Sequence, residues 1–221
     1  MNIRVIIVVL IIIIFALAST MLNLSVSGVS DLNEVYSSGN ITVIQKTAAG
    51  TVPHEIVITN NENTAINAKQ GTALASSVSE DLIIAEDKQI GANSAETVKA
   101  YGIEPSQRAV VNTKLLPVNN SYNGVNNVIN NSNPYISQLQ IWLIMAGPNF
   151  NPYTGEPVEV VNTKKISWSE FRQNIADAKN NLMKKFNVSE SEIQNLKQND
   201  GNNQNWISGT ISWIKSSTGI Q

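Results

Sequence analysis

VKAYGIEPSQ, residues 98–107, alternates like a strand and yet carries Gly102 where a side chain should pack. Glycine inside a strand loses more backbone entropy on folding than any other residue and makes no cross-strand contact. It therefore marks a bulge or the close approach of some other group. Which of these applies depends on what the rest of the chain brings to the position.

Around this stretch, from Asn40 to Leu116, the sequence shows period-2 or short apolar runs: ITVIQKT, HEIVITN, TAINA, DLIIAE, ETVKAYGI and RAVVNTKL. Between them lie AAG, NNEN, KQG and GANS, which are turn compositions. No helical stretch is available to carry a crossover between parallel strands, so the pattern predicts antiparallel pairing. Six or seven strands are expected over residues 40–117, as a β-sandwich of immunoglobulin-like shape.

Beyond Asn119 the period changes, and residues 118–221 read as a mainly helical half. Ser132 or Asn133 can cap a helix over residues 134–146, with Pro134 in its first turn and Gly147-Pro148 as its stop. Ile136, Leu139, Trp142, Leu143 and Ala146 cover one face, and Ile141, Ile144 and Met145 make the other sides apolar. Such a helix is expected to be buried nearly all round.

Capping boxes at Ser167–Glu170 and Ser189–Glu192 open two further helices. The first carries Trp168, Phe171, Ile175, Leu182 and Phe186, the second Ile193 and Leu196, and a last amphipathic stretch runs from Trp206 to Ile214. In NFNPYTGEPVEVVNTKKI, residues 149–166, turn chemistry precedes one expected strand at Val158–Val161. No internal repeat or low-complexity linker separates the halves, which favours a shared interface in an α+β fold.

The chain opens MNIRVIIVVLIIIIFALAST, with Arg4, an apolar run from Val5 to Phe15, and Ala16-Leu17-Ala18 as a small-x-small cleavage signature. Residues 1–18 are expected to be a secretory signal peptide or a membrane anchor, and residues 19–39 a linker. Either way the bulk of the chain is expected to be secreted or on the extracellular face of the cytoplasmic membrane. The membrane is then touched only through the N-terminal segment.

Exported small domains commonly use disulfides, but this chain has no cysteine and must rely on packing. A net charge of −2 with scattered Lys and Arg leaves no basic stripe, which argues against nucleic acid as a partner. Asn23, Asn40, Asn119, Asn130 and Asn187 each begin an Asn-x-Ser/Thr sequence and are possible N-glycosylation acceptors.

Catalytic chemistry finds little support. The single histidine, His54, lacks the second histidine of a zincin motif and reads as a strand-end residue. Ser212-Trp213-Ile214-Lys215 matches a serine–lysine pattern whose other two motifs are missing. Glu86 and Asp87 are adjacent, so on a strand they point to opposite faces and read as solvated charges. No catalytic residue, metal ligand or cofactor is expected, and the chain is not expected to be an enzyme.

Two motifs together carry a resemblance. Ala100-Tyr101-Gly102-Ile103 ends the β region, and Gln138-Leu139-Gln140-Ile141-Trp142 lies on the apolar helix that follows. This order resembles the thioester domains of prokaryotic surface adhesins, where a strand carries Tyr-Cys and a later TQxA-type segment carries Gln with Trp four residues on. In that family the cysteine and glutamine form an internal thioester that captures nucleophiles on another surface.

On this resemblance Gln138 falls on the glutamine, Trp142 on the tryptophan, Tyr101 on the tyrosine and Gly102 on the cysteine. Ser137 and Gln140 stand where the family tends to have Thr and Ala. Without a thiolate at 102 no acyl group can be stored. The resemblance thus implies an extracellular adhesion module unable to form the thioester, with another cell surface or an envelope component as partner. A structural envelope subunit is the alternative, and a cell-wall hydrolase working through Glu86, Asp87 or Glu104 is a third.

Overall fold

The structure, a computed structural model, describes residues 29–118, 122–129 and 133–197. The N-terminal apolar segment, Asn23, Asn119, Asn130, Ser132, the Trp206–Ile214 stretch and the Ser212/Lys215 pattern lie outside the described residues. Among the described residues no helix is long and apolar enough to cross a membrane.

The fold is α+β, with antiparallel sheets that are nearly barrel-like. Nine strands are described: β1 Ser30–Asp31, β2 Ile41–Gln45, β3 His54–Asn60, β4 Ile66–Ala68, β5 Ala73–Ala75, β6 Leu82–Ile84, β7 Lys88–Ile90, β8 Ser94–Gly102 and β9 Leu116–Val118. Six of them form one sheet in the order β2-β3-β8-β6-β5-β9. Its two ends approach each other, because Gln45 N donates to Thr113 O and Leu115 N to Val43 O, both at 2.9 Å. That curl is what makes the sheet nearly closed.

A second sheet, β1-β4-β7, lies against the first, with β1 parallel to β4 and β7 antiparallel to it. Between the sheets lies an aliphatic core that includes Ile41, Ile56, Ile58, Ile66, Leu74 and Ile90, each 1% exposed or less. The strict alternation of β2 and β3 between buried and half-buried positions supplies these side chains. Each such burial contributes roughly 1.5–3 kcal/mol.

Five helices are described: α1 Leu32–Val35, α2 Asn123–Ile129, α3 Pro134–Ala146, α4 Glu156–Lys164 and α5 Trp168–Phe186, with a 3-10 stretch at Glu190–Lys197. Helix α3 begins where the Asn133 side chain accepts from Tyr135 N and Ile136 N, and stops at Gly147, whose φ is +54°. All residues from Ser137 to Ile144 are buried, so the helix is enclosed on every side over its middle. A second core forms around it, with Val128, Val160, Phe171, Leu182 and Ile193.

Val158–Val161 lies in α4 rather than in a strand, since Pro157 stands in the first turn, Glu156 and Glu159 favour the helix start, and Val160 and Val161 turn inward together. Arg108–Leu115 is a loop with one bridge at Lys114, because Asn112 is left-handed (φ 64°) and breaks the run. The later part of the 19–39 linker is built in, with β1 pairing β4 and Leu32 buried. Strands β5 and β7, three residues each, were too short to show a period.

Candidate functional site

Gly102 is the last residue of β8 and pairs with Leu82, the first of β6. Two residues before Leu82 comes Glu80, whose carboxylate occupies the space that a side chain at 102 would need. A Cβ built at Gly102 overlaps both Glu80 oxygens. The missing side chain in the strand is therefore explained by close approach, not by a bulge.

His54 begins β3 opposite Ala100, so by the two-residue alternation it shares a face with Gly102. Both stand at the same end of the aliphatic interior. That end is covered by the helices: Glu156, from the start of α4, and Trp142, from the middle of α3, both reach into it.

The contacts among these groups form one cluster. His54 Nε2 lies 3.3 Å from Glu156 Oε1 and 3.6 Å from Glu80 Oε2, close enough for ion pairing. Neither approach is aligned as a hydrogen bond, and His54 Nε2 and Glu80 Oε2 have no hydrogen-bond partner. Trp142 Nε1 donates to Glu80 Oε1 at 3.2 Å. Glu156 accepts from Gly50 N at Oε1 and from Ala109 N at Oε2, a pattern that suits an ionised carboxylate.

Gly50 is required for this: its φ is +84°, and a Cβ there would overlap the Glu159 carbonyl oxygen and Thr163 Oγ1 of α4. On the far side of the imidazole, Nδ1 lies 3.2 Å from Thr47 Oγ1 and 3.3 Å from Gln45 Nε2. When Nδ1–H is donated to Thr47, Nε2 turns a lone pair toward the two glutamates.

His54, Glu80 and Glu156 are all 0% exposed, so their charges are set by one another. Burial works against the charged imidazole, but Glu156 and then Glu80 outweigh it and raise His54 to about 9. Complete burial raises the Glu80 carboxyl to about 8, with the His54 contact opposing the rise and the Glu156 charge adding to it. Both shifts run toward the protonated forms, so burial and the shared charges disfavour the fully deprotonated cluster.

Beside the cluster, Gln138 of α3 meets the backbone of Gly102. Gly102 N donates to Gln138 Oε1 at 3.0 Å and Gln138 Nε2 donates to Gly102 O at 2.7 Å. The side-chain amide thereby satisfies both backbone groups at the end of β8. It also ties the sheet to the buried helix. Trp142, one turn further along α3, is buried and stacks on Phe150 with ring centroids 6.1 Å apart.

The other residues singled out from the sequence lie elsewhere. Tyr101 faces the helical core and is 4% exposed. Between β6 and β7, Glu86 accepts from Lys99 N of β8 and Asp87 from Gln70 N, so the two acids serve backbone amides of different segments. Asn40, before β2, and Asn187, the left-handed cap of α5, are both exposed. Glu104 joins Asp81, Ile103, Tyr122, Asn149 and Asn151 around an open cleft of about 420 Å³ at the seam between the halves.

Two members of the cluster were not singled out from the sequence. Glu80 sits in ASSVSED and Glu156 in YTGEP, polar surroundings that read as exposed turns. Only the lone histidine, at the start of a strongly alternating strand, gave a signal, since the alternation puts it on the same face as Ile56 and Ile58. No family model, curated protein or solved structure matches the chain.

Proposed function

We propose that this chain is an exported binding module of the cell surface, a non-covalent relative of thioester domains that binds another surface or an envelope component and turns nothing over. The observation that carries this reading is the pair of hydrogen bonds between Gly102 and Gln138, which joins the β half to the buried helix. In thioester domains the corresponding link is a bond between cysteine and glutamine. Here the same two positions are held by amide contacts alone.

The Glu80 carboxylate supports reading Gly102 as the residue this fold requires, because a cysteine at 102 would have to displace it. Of the immunoglobulin-like shape, the two sheets packed face to face give support, with a strand order of this chain's own. On this reading a ligand lodges in the open cleft lined by Ile103 and Glu104, which follow Gly102 in the chain. Export rests on the signal-like N-terminal segment.

Restoring the cysteine tests the kinship. Gly102→Cys alone should keep a free amide at residue 138, with Glu80 in the way. Gly102→Cys combined with Glu80→Ala should lose one ammonia by intact mass and form an adduct with methylamine at residue 138. A folded double variant whose Gln138 stays a free amide overturns the kinship. Passage of the wild-type chain over cell-envelope and foreign-cell surfaces without retention would overturn the binding role.

A further inference from the structure

We propose that His54, Glu80 and Glu156 form a buried site for a first-row divalent transition-metal ion, which clasps the β half to helix α4. The inference stands apart from the function proposed above, since it uses neither Gln138 nor the cleft. Its starting point is a pair of fully buried polar atoms, His54 Nε2 and Glu80 Oε2, that lie 3.6 Å apart and have no hydrogen-bond partner. Unpaired buried polar groups are costly, so each calls for a physical reason.

Geometry supplies one. Around a tetrahedral ion with ligand bonds of roughly 2.1 Å, neighbouring donor atoms lie about 3.4 Å apart. The two contacts of Nε2 measure 3.3 and 3.6 Å, and the three donor atoms all lie within 4.8 Å of one another. The third edge, between the two carboxylates, is therefore no longer than 4.8 Å.

The donor set is one imidazole and two carboxylates, which suits Zn²⁺ and its first-row neighbours better than Ca²⁺ or Mg²⁺, whose ligands are all oxygen. The support around the donors has the form that metal histidines use. Thr47 Oγ1, 3.2 Å from Nδ1, is an acceptor when that nitrogen carries the proton, and Glu156 is fixed by two backbone N–H groups.

Both groups are shifted toward their protonated forms, and any proton they hold must leave before an ion can bind. The ion takes over the positive charge that an imidazolium supplies between the carboxylates. Because the site is closed to solvent and its ligands come from β3, the segment before β6 and α4, the ion acts as a structural clasp. Its binding energy adds to folding stability.

The test uses the full chain made without a polyhistidine tag, stripped with a chelator, then given Zn²⁺ or Co²⁺ both after folding and during refolding. Since the chain has a single histidine, its ring nitrogen signals report the site directly. One equivalent of Zn²⁺ retained through gel filtration, a shift of the His54 Nε2 signal, and a Co²⁺ ligand-field absorption band are expected. Glu80→Gln and His54→Ala should lose the retained metal. If His54 signals stay put under both protocols, or if Glu80→Gln retains metal as the wild type does, the proposal fails. The wild-type spectra decide the matter even if the variants do not fold.

Discussion

The two cores of this molecule are built on opposite terms. Between the sheets, the interior is aliphatic, drawn from alternating strand positions such as Ile41, Ile58 and Leu74. At its end, under α3 and α4, lies a polar cluster of His54, Glu80, Glu156 and Gln138 with no exposed atom to relieve it. The first kind of core needs volume and little else. The second needs each donor to find its acceptor, because a buried charge or amide left alone costs several times what a lost methylene costs.

That difference is sharpest for replacements that keep shape. Glu156→Gln puts an amide NH₂ where one of two backbone N–H donors, Gly50 or Ala109, now finds an acceptor, and it removes the charge facing His54. Removing one member of a buried pair costs roughly 3–5 kcal/mol. Ile58→Val in the aliphatic core should cost only about 0.5–1.5 kcal/mol. Urea denaturation midpoints of the two variants measure the contrast, and equal losses would erase the distinction between the cores.

A smaller effect belongs to Gln138→Leu, similar in size but unable to bond. It leaves Gly102 N–H and C=O without their partner at the end of β8, at about 1–3 kcal/mol for an unsatisfied buried group. The loss should appear as weaker hydrogen-exchange protection at β8 and α3 together. Protection lost from α3 alone would show that the amide does not tie the halves.

A last effect is a slope with pH, at most about 1.4 kcal/mol per pH unit for each proton. His54 holds more proton when folded than unfolded between 6.5 and about 9, and Glu80 does so from 4.5 to about 8. Both terms therefore favour the folded state at low pH and are lost as pH rises, the last of the His54 term near 9. Chemical denaturation with a chelator present should show stability falling between pH 4.5 and about 9, and falling less steeply in Glu80→Gln below about 8. A flat profile would mean that the cluster does not titrate as one unit.

Much of this arrangement could be read along the chain. Helix α3 declared itself through Asn133 and Pro134 at one end, Gly147 at the other, and apolar residues on all sides. The place of Gly102 at the end of a strand was legible as well, and so was Gln138 as a polar residue on an apolar helix. What could not be read was the filling of the gap, since Glu80 is separated from Gly102 by sequence and joined to it by the β6–β8 register. Val158–Val161 misled because β-branched residues favour strands until Pro157 and two acids begin a helix against a waiting core.

The sequence by itself determined the α+β order, the alternating strands and the enclosed helix, because periodicity and turn chemistry act over a few residues. Tertiary structure alone decided that two glutamates from polar turns and the one histidine meet in a buried cluster. Burial of a charge depends on what distant segments bring to cover it, and the residues beside Glu80 and Glu156 in the chain carry no trace of that.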